Sequence, residues 1–196
     1  MRKPMLNTFV VYVENKPGVL TRVASLFRRR AFNIDSLTVG RTERPEVSRM
    51  TIVVDADRDQ AMRVEANLYK LVNVLLVENV TGKPAICRDL AIIKVAASQS
   101  DRSPLLDIFN VFRARVVDFA VDSLTVEITG GEEKIDRLLE VLQPYGILEM
   151  VRTGVVAMRR GAKSEEASAA VANATGSGAN GAATIAADDS SISYSV

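Results

Sequence analysis

Residues 15–20 carry residue types that suit the recognition of a small zwitterion, because they join an apolar run to a run with helical periodicity. The first N–H groups of a helix have no partner within it and bear a partial positive charge, which favours a bound carboxylate. Gly18 lets a ligand approach the backbone closely, and Pro17 loses no useful donor at the start of a helix. Asn15 offers both a donor and an acceptor. The predicted ligand-binding residues of this segment are Asn15, Pro17, Gly18, Val19 and Leu20.

A second group of candidate residues, Asn33 and Ile34, comes shortly after the helical run. Their backbone carbonyls could accept hydrogen bonds from an ammonium group. An aliphatic ligand side chain would pack on Leu20 or Ile34, and its burial is worth only ~1.5–3 kcal/mol. The sequence therefore predicts weak, reversible binding, since an affinity of ~100 µM requires about −5.5 kcal/mol in total. The alternative is that Asn15 and Gly18 are only turn residues between a strand and a helix.

These candidate residues need a βαββαβ unit to position them. Residues 6–14 form an apolar run on both faces, which is typical of a central strand. An apolar stripe at helical spacing begins at Val19, with arginines on the opposite face. We expect a four-stranded antiparallel sheet with both helices on one face. The other predicted elements are extended residues 33–39, a strand at 48–55, a helix around 61–71 and a strand at 72–80.

The same order of elements repeats in the second half of the chain. Ser103 and Pro104 predict the start of a helix, with Ser103 as the N-cap. The predicted strands are residues 90–96, 116–121 and 124–129, and one closing strand within 146–158. The predicted fold class is α+β, with two tandem ferredoxin-like βαββαβ domains at residues 6–83 and 84–160. Residues 161–196 are rich in Ala, Ser and Gly and cannot bury enough surface to offset an ordering entropy of roughly 1–2 kcal/mol per residue, so this tail is predicted to be disordered.

The composition argues against several classes of protein. One cysteine and no histidine leave no basis for a disulfide framework or for a zinc or copper site. The net charge is +1, only 5% of residues are aromatic, and the third strand of each unit has no aromatic side chain, so an RNA-binding platform is not expected. No apolar stretch approaches the ~18 residues of a membrane span and no signal peptide is recognisable, so a cytoplasmic protein that binds neither nucleic acid nor membrane is expected.

Four stretches resemble the small, regulatory subunit of acetolactate synthase (acetohydroxyacid synthase): "VENKPGVLTRVASLFRRRAFNIDSLTVG", "SRMTIVV", "LYKLVNVLLVENVT" and "MVRTGVVAMRRG". The resemblance covers nearly the whole chain except the tail. It implies that residues 6–83 are an ACT domain that binds branched-chain amino acids such as valine where two ACT domains pair as a homodimer. The Gly18 loop of one copy would then face Asn33 and Ile34 of the other. One departure is Ala31, where the family usually has glycine, so we expect a differently shaped helix end.

The same resemblance implies a regulatory role without catalytic residues in this chain, and no hydrolase, P-loop or dinucleotide-binding motif contradicts it. A separate large subunit would hold thiamine diphosphate, Mg²⁺ and FAD and convert two pyruvates to 2-acetolactate and CO₂. The chain would activate that subunit and confer feedback inhibition by valine, leucine or isoleucine, which places it in their biosynthesis. The alternative is a stand-alone ACT-domain amino-acid sensor that is not tied to a synthase.

Overall fold

The computed structural model describes residues 5–161, together with residues 169 and 172. In the first unit, four strands form an antiparallel sheet in the order β2-β3-β1-β4. The predicted order of elements for this unit is confirmed. The elements are β1 (Leu6–Glu14), α1 (Val19–Arg29), β2 (Ile34–Arg41), β3 (Val47–Asp55), α2 (Arg58–Leu68) and β4 (Val74–Asn79).

The core of the first unit lies between its sheet and its two helices. Phe9, Val11 and Val13 alternate along β1 and face the helices, as the period of two in a strand requires. Val23 and Phe27, four residues apart on α1, pack against them because residues at this spacing share one face of a helix. All five side chains are almost completely buried, so this core fixes the position of α1 on the sheet.

The second unit repeats the topology of the first, with strand order β6-β7-β5-β8. The α+β class and the two βαββαβ repeats are thereby confirmed. The tail predicted to be disordered lies almost wholly outside the described residues. The elements are β5 (Ala85–Ala96), α3 (Arg102–Phe112), β6 (Arg115–Phe119), β7 (Ser123–Gly130), α4 (Glu132–Leu142), a 3₁₀ turn (Gln143–Tyr145), β8 (Ile147–Arg152) and β9 (Val156–Arg159).

Two predicted strands of the second unit are wrong in extent. The first strand begins at Ala85 rather than near residue 90, and the single closing strand is divided into β8 and β9. The division occurs at Gly154, whose φ of 84° turns the chain. β8 pairs with the second half of β5, whereas β9 pairs with its first four residues from Ala85 to Arg88. The apolar pattern continues through this part of the sequence, so it does not indicate that β8 and β9 pair with different parts of β5.

The β5–β9 ribbon, made of β9 and the paired first residues of β5, covers the open face of the first sheet. Val10 and Val80 of the first unit form a small apolar cluster with Ala157 of β9, and Cys87 packs against it. The first sheet is therefore buried on both faces, which explains why β1 has apolar residues in both directions. Among the described residues, no helix has the length and apolar character that crossing a bilayer requires.

The predicted N-cap of α3 is also wrong. Asp101, not Ser103, occupies the N-cap position, and Ser103 lies inside the helix. The Asp101 carboxylate accepts hydrogen bonds from the backbone N–H of Ser98, at 3.2 Å, and from the Ser98 hydroxyl. This turn starts the helix two residues earlier than the Ser-Pro pair suggests.

Candidate effector site

The start of α1 is an uncapped helix end. Gly18 occupies the N-cap position with φ 81° and ψ −6°, a left-handed conformation that glycine adopts without steric cost. No side chain caps the helix, and its first turn contains no acidic residue. Within the described part of the chain, no protein atom accepts a hydrogen bond from the N–H of Leu20 or Thr21, and the Val19 N–H makes only a long bond of 3.4 Å to the Lys16 carbonyl. The partial positive charge of this end is therefore left for an anion to satisfy.

The side chains of this loop divide into exposed and buried ones. Gly18 and Pro17 lie on the surface, and Leu20 is 44% exposed, so it can contact a ligand. Val19 is only 4% exposed and belongs to the first core. Of the sequence candidates in this loop, Val19 can thus offer a ligand only its backbone.

Asn15 has a structural partner that the sequence does not reveal. Its Nδ2 donates to the carbonyl of Pro45 at 2.8 Å, and its backbone N–H donates to the carbonyl of Glu46 at 2.7 Å. These bonds tie the Gly18 loop to the hairpin between β2 and β3. One N–H of the side-chain amide is engaged in this way, so its second N–H and its oxygen are available to a ligand, and the oxygen suits an ammonium group.

A polar network beside the loop was not predicted from the sequence. The Glu14 carboxylate accepts hydrogen bonds from Asn73 Nδ2 and, at 3.2 Å, from Lys16 Nζ, and Arg22 Nη1 donates to Asn73 Oδ1. The Asn73 hydrogen bond, followed by the Lys16 hydrogen bond, lowers the pKa of Glu14 despite a small opposing effect of burial. Asn73 is 59 residues from Glu14, so no local pattern signals this contact. The network fixes the end of β1 from which the loop departs.

Asn33 and Ile34 lie at the other end of the sheet from the Gly18 loop. Ile34 starts β2 and pairs with Val54, whereas Glu14, next to the loop, pairs with Val47. Val47 and Val54, the β3 partners of Glu14 and Ile34, are seven residues apart, which corresponds to ~23 Å along a strand. A single protomer therefore does not bring the two groups of candidate residues together.

The end of α1 positions Asn33 and Ile34, and its shape is the one a glycine would give. Ala31 has φ 55°, in the left-handed region. The N–H of Ala31 donates to the Arg28 carbonyl and that of Phe32 to the Phe27 carbonyl, which is the pattern of a Schellman motif. The expectation of a differently shaped helix end is thus wrong. The edge-to-face contact of the Phe27 and Phe32 rings, 6.3 Å apart, holds alanine in a conformation it disfavours.

The cluster of cations near the ends of α1 and α2 has a structural explanation. Arg29, Arg30 and Lys70 surround an open depression of about 480 Å³. Arg30 Nη2 donates to Asn67 Oδ1 at 3.3 Å. Both helices end here, and cations are favourable beside the partial negative charge of helix C-termini.

The architecture and the uncapped helix start together define the class of the protein. Residues 9–76 match the family model described as an AHAS small subunit-like ACT domain, so the first unit is an ACT domain. Residues 88–161 match the model described as the small subunit of acetolactate synthase. The chain belongs to the acetolactate synthase small-subunit family.

Similar proteins support this assignment over the full length of both units. The chain is 48% identical to a probable acetolactate synthase small subunit of Archaeoglobus fulgidus, over 81% of this chain and 99% of that protein. It is 48% identical to an acetolactate synthase small subunit of Mycolicibacterium smegmatis, over 79% of this chain and 91% of that protein. The crystal structure of the acetolactate synthase small subunit of Thermotoga maritima superposes with a TM-score of 0.75 at 35% identity, covering 81% of this chain and 99% of that one.

Proposed function

We propose that the chain is a regulatory subunit that binds the large, catalytic subunit of acetolactate synthase, activates it, and makes it sensitive to feedback inhibition by branched-chain amino acids. The observation that carries this proposal is the uncapped start of α1 at Gly18, because its free N–H groups fit the carboxylate of an amino acid. Membership of the small-subunit family supports the proposal that the binding partner is the large, catalytic subunit. We further propose that the protein acts in the cytoplasm.

The proposed site is completed by a second copy of the chain. Because β2 is an edge strand with a single neighbour, its free edge is able to pair with another strand. Antiparallel pairing of two β2 strands about a two-fold axis would place Asn33 and Ile34 of one copy near the end of the partner's β2, where Asn15 holds the hairpin. This arrangement removes the separation of ~23 Å that exists within one protomer. The carboxylate would bind the Gly18 loop, and the ammonium the Asn33–Ile34 carbonyls.

The chemical step belongs, in this proposal, to the large subunit. Joining two pyruvates with loss of CO₂ needs a group that stabilises a carbanion, which thiamine diphosphate supplies with Mg²⁺, and FAD is also placed on that subunit. The small subunit contributes a change in the equilibrium between two states of the complex. A difference of 1–3 kcal/mol in ligand affinity between those states is sufficient for useful feedback.

Reconstitution tests this proposal directly. The full chain is mixed with the large subunit, association is followed by size-exclusion chromatography, and acetolactate formation from pyruvate is measured with and without valine, leucine or isoleucine. We expect a stable complex, higher turnover than the large subunit alone, and inhibition by at least one of the amino acids. Valine binding without association or activation would instead favour a stand-alone sensor. No binding of any of the three amino acids would refute the effector site.

A further inference from the structure

Residues 153–157, here called the clasp, comprise the connection between β8 and β9 and the first two residues of β9, and they lie on the face of the first sheet opposite its helices. Polar side chains of the first unit hold the backbone of the clasp. Ser36 Oγ accepts from the Val155 N–H at 3.1 Å, and Thr38 Oγ1 donates to the Thr153 carbonyl at 3.4 Å. From β3, Thr51 Oγ1 accepts from the Ala157 N–H at 3.4 Å, and Arg49 Nη2 donates to the Ala157 carbonyl.

The fit of the clasp against β2 requires a glycine at its centre. Gly154 has φ 84°, a conformation that side chains other than glycine rarely adopt. A Cβ placed on Gly154 would overlap Ser36 Oγ and lie 3.2 Å from Thr38 Oγ1. The clasp and β2 therefore touch with no room for an intervening side chain.

The other side of the clasp is anchored in the second unit. Thr153 Oγ1 donates to Asp89 Oδ1 at 3.1 Å. Arg152, directly before the clasp, forms ion pairs with Asp89 at 2.7 Å and with Asp136 of α4 at 2.8 Å. The Asp89 side chain is only 2% exposed, so this pairing is well shielded from water. A displacement of β2 would consequently be transmitted to the second sheet and to α4.

The clasp touches β2 very close to the proposed effector contacts. Ile34 and Ser36 are separated by Asp35, where the pairing of β2 with β3 shifts register. Such bulges bend a strand and re-aim neighbouring side chains, and they are frequent beside functional sites. Only one residue thus lies between an effector contact and the first clasp contact.

We infer that the clasp is the mechanical link through which occupancy of the effector site at β2 reaches the second unit, and that Ser36, Thr38 and Gly154 are the positioning residues of this link. The inference rests on the proposed function. Valine at Asn33–Ile34 shifts the bulged start of β2, Ser36 and Thr38 carry the clasp with it, and Arg152 passes the shift to Asp89 and α4.

The decisive variant is Gly154→Val, studied in the full chain reconstituted with the large subunit. Its matched control is Gly161→Val, because Gly161 has a similar φ of 87° but a Cβ placed on it would meet no atom within 4 Å. We expect Gly154→Val to retain activation and valine binding, measured by calorimetry, while the activity that remains at saturating valine rises at least about fivefold, because valine then binds without changing the state of the large subunit. The control should behave as wild type.

If Gly154→Val does not fold, a less disruptive double variant, Ser36→Ala with Thr38→Val, tests the same link. Its control is Thr125→Val, a hydroxyl on the second sheet that forms no hydrogen bond to any other described residue. Loss of two hydrogen bonds should raise the activity that remains at saturating valine roughly threefold or more, with unchanged valine binding. Unaltered inhibition in the double variant would overturn the inference. If wild type itself bound no valine, the proposed function would fail instead, so the two failures are distinguishable.

Discussion

Val10 in β1 and Ile92 in β5 occupy equivalent places in two sheets of the same topology, yet Val10 is 0% exposed and Ile92 is 41% exposed. The equivalence follows from a shared irregularity, because the pairing of each central strand with its neighbour shifts register at Tyr12/Val13 in one unit and at Lys94/Val95 in the other. The first sheet is covered by the β5–β9 ribbon, whereas the matching face of the second keeps apolar side chains exposed. Two units of the same fold thus differ in that one face of the sheet is covered in the first unit and exposed in the second.

The helix starts show a second contrast between the units. Neither helix has a side chain hydrogen-bonded to its first N–H groups, but α1 begins at Gly18, which has no side chain, while α3 begins at Asp101, whose carboxylate lies at the helix start and is bonded to Ser98. A negative charge at a helix N-terminus is favourable in either case. In the second unit the chain provides that charge itself, and in the first we propose that the effector provides it. This difference in charge favours the first unit over the second as the proposed amino-acid site.

The largest expected effect on stability comes from two buried polar residues, Asn7 in β1 and Asp89 in β5, which occupy equivalent positions of the two central strands. Asn7 donates two neutral hydrogen bonds, to Met5 and Ala56 carbonyls, whereas Asp89 is paired with Arg152 and Thr153. Asp89→Ala should lower the free energy of unfolding by about 3 kcal/mol, since it leaves a charged partner without its main counter-ion. Asn7→Ala should cost about 1–2 kcal/mol. Urea denaturation measures both, and a larger loss for Asn7→Ala would contradict this ranking.

Gly18→Asp tests the contrast between the helix starts by giving α1 its own carboxylate. The new side chain would compete with the effector for the free N–H groups, so valine inhibition should weaken roughly 10–100-fold, the equivalent of one charge-assisted hydrogen bond, while activation is kept. Inhibition assays and the rise of melting temperature with valine provide the measurement. Gly82→Asp is the control, because Gly82 also has a positive φ, 68°, and open space. Full inhibition of the Gly18 variant would place the effector elsewhere.

A smaller effect on stability is expected at the two helix ends where a residue other than glycine adopts the left-handed conformation. Ala31 and Arg113, with φ of 55° and 51°, are the described non-glycine residues with positive φ, and they follow α1 and α3 respectively. Ala31→Gly and Arg113→Gly should each raise stability by up to about 1 kcal/mol, because glycine removes the left-handed strain. Thermal melts of both variants compare the two units. Destabilisation of Ala31→Gly would show that the Phe27–Phe32 contact depends on the alanine.

The smallest effect is a pH dependence of stability that arises from Glu14 in the first unit. Because hydrogen bonds from Asn73 and Lys16 lower the pKa of Glu14 in the folded state, its carboxylate stabilises the protein above the unfolded pKa of ~4.3. That contribution is lost as the pH falls from ~4.3 through the folded pKa. In Glu14→Gln, the free energy of unfolding measured by urea denaturation should therefore differ less between pH 7 and pH 3 than it does in wild type. Glu149→Gln, which breaks only an exposed pair with Lys94, is the control.

The sequence alone predicted the elements with strong local signals and missed the contacts between distant ones. β1 and the start of α1 were correct because an apolar strand, Pro17-Gly18 and a helical stripe follow one another directly. The clasp was missed because its contacts join residues more than a hundred positions apart, such as Ser36 and Val155. The turn at Gly18 between β1 and α1 could be predicted from residue types, whereas the hydrogen bond from the Asn15 amide to the hairpin depends on tertiary packing.

The covering of the first sheet by β9 has a consequence for biosynthesis. During translation, the ACT domain emerges from the ribosome long before residues 156–159 are made, so Val10 and Tyr12 face solvent in the nascent chain. Chains interrupted in the second unit would keep this apolar surface uncovered and would be prone to self-association. Synthesis through Arg159 is thereby required to cover the sheet of the first domain, which couples the maturation of that domain to the presence of the second.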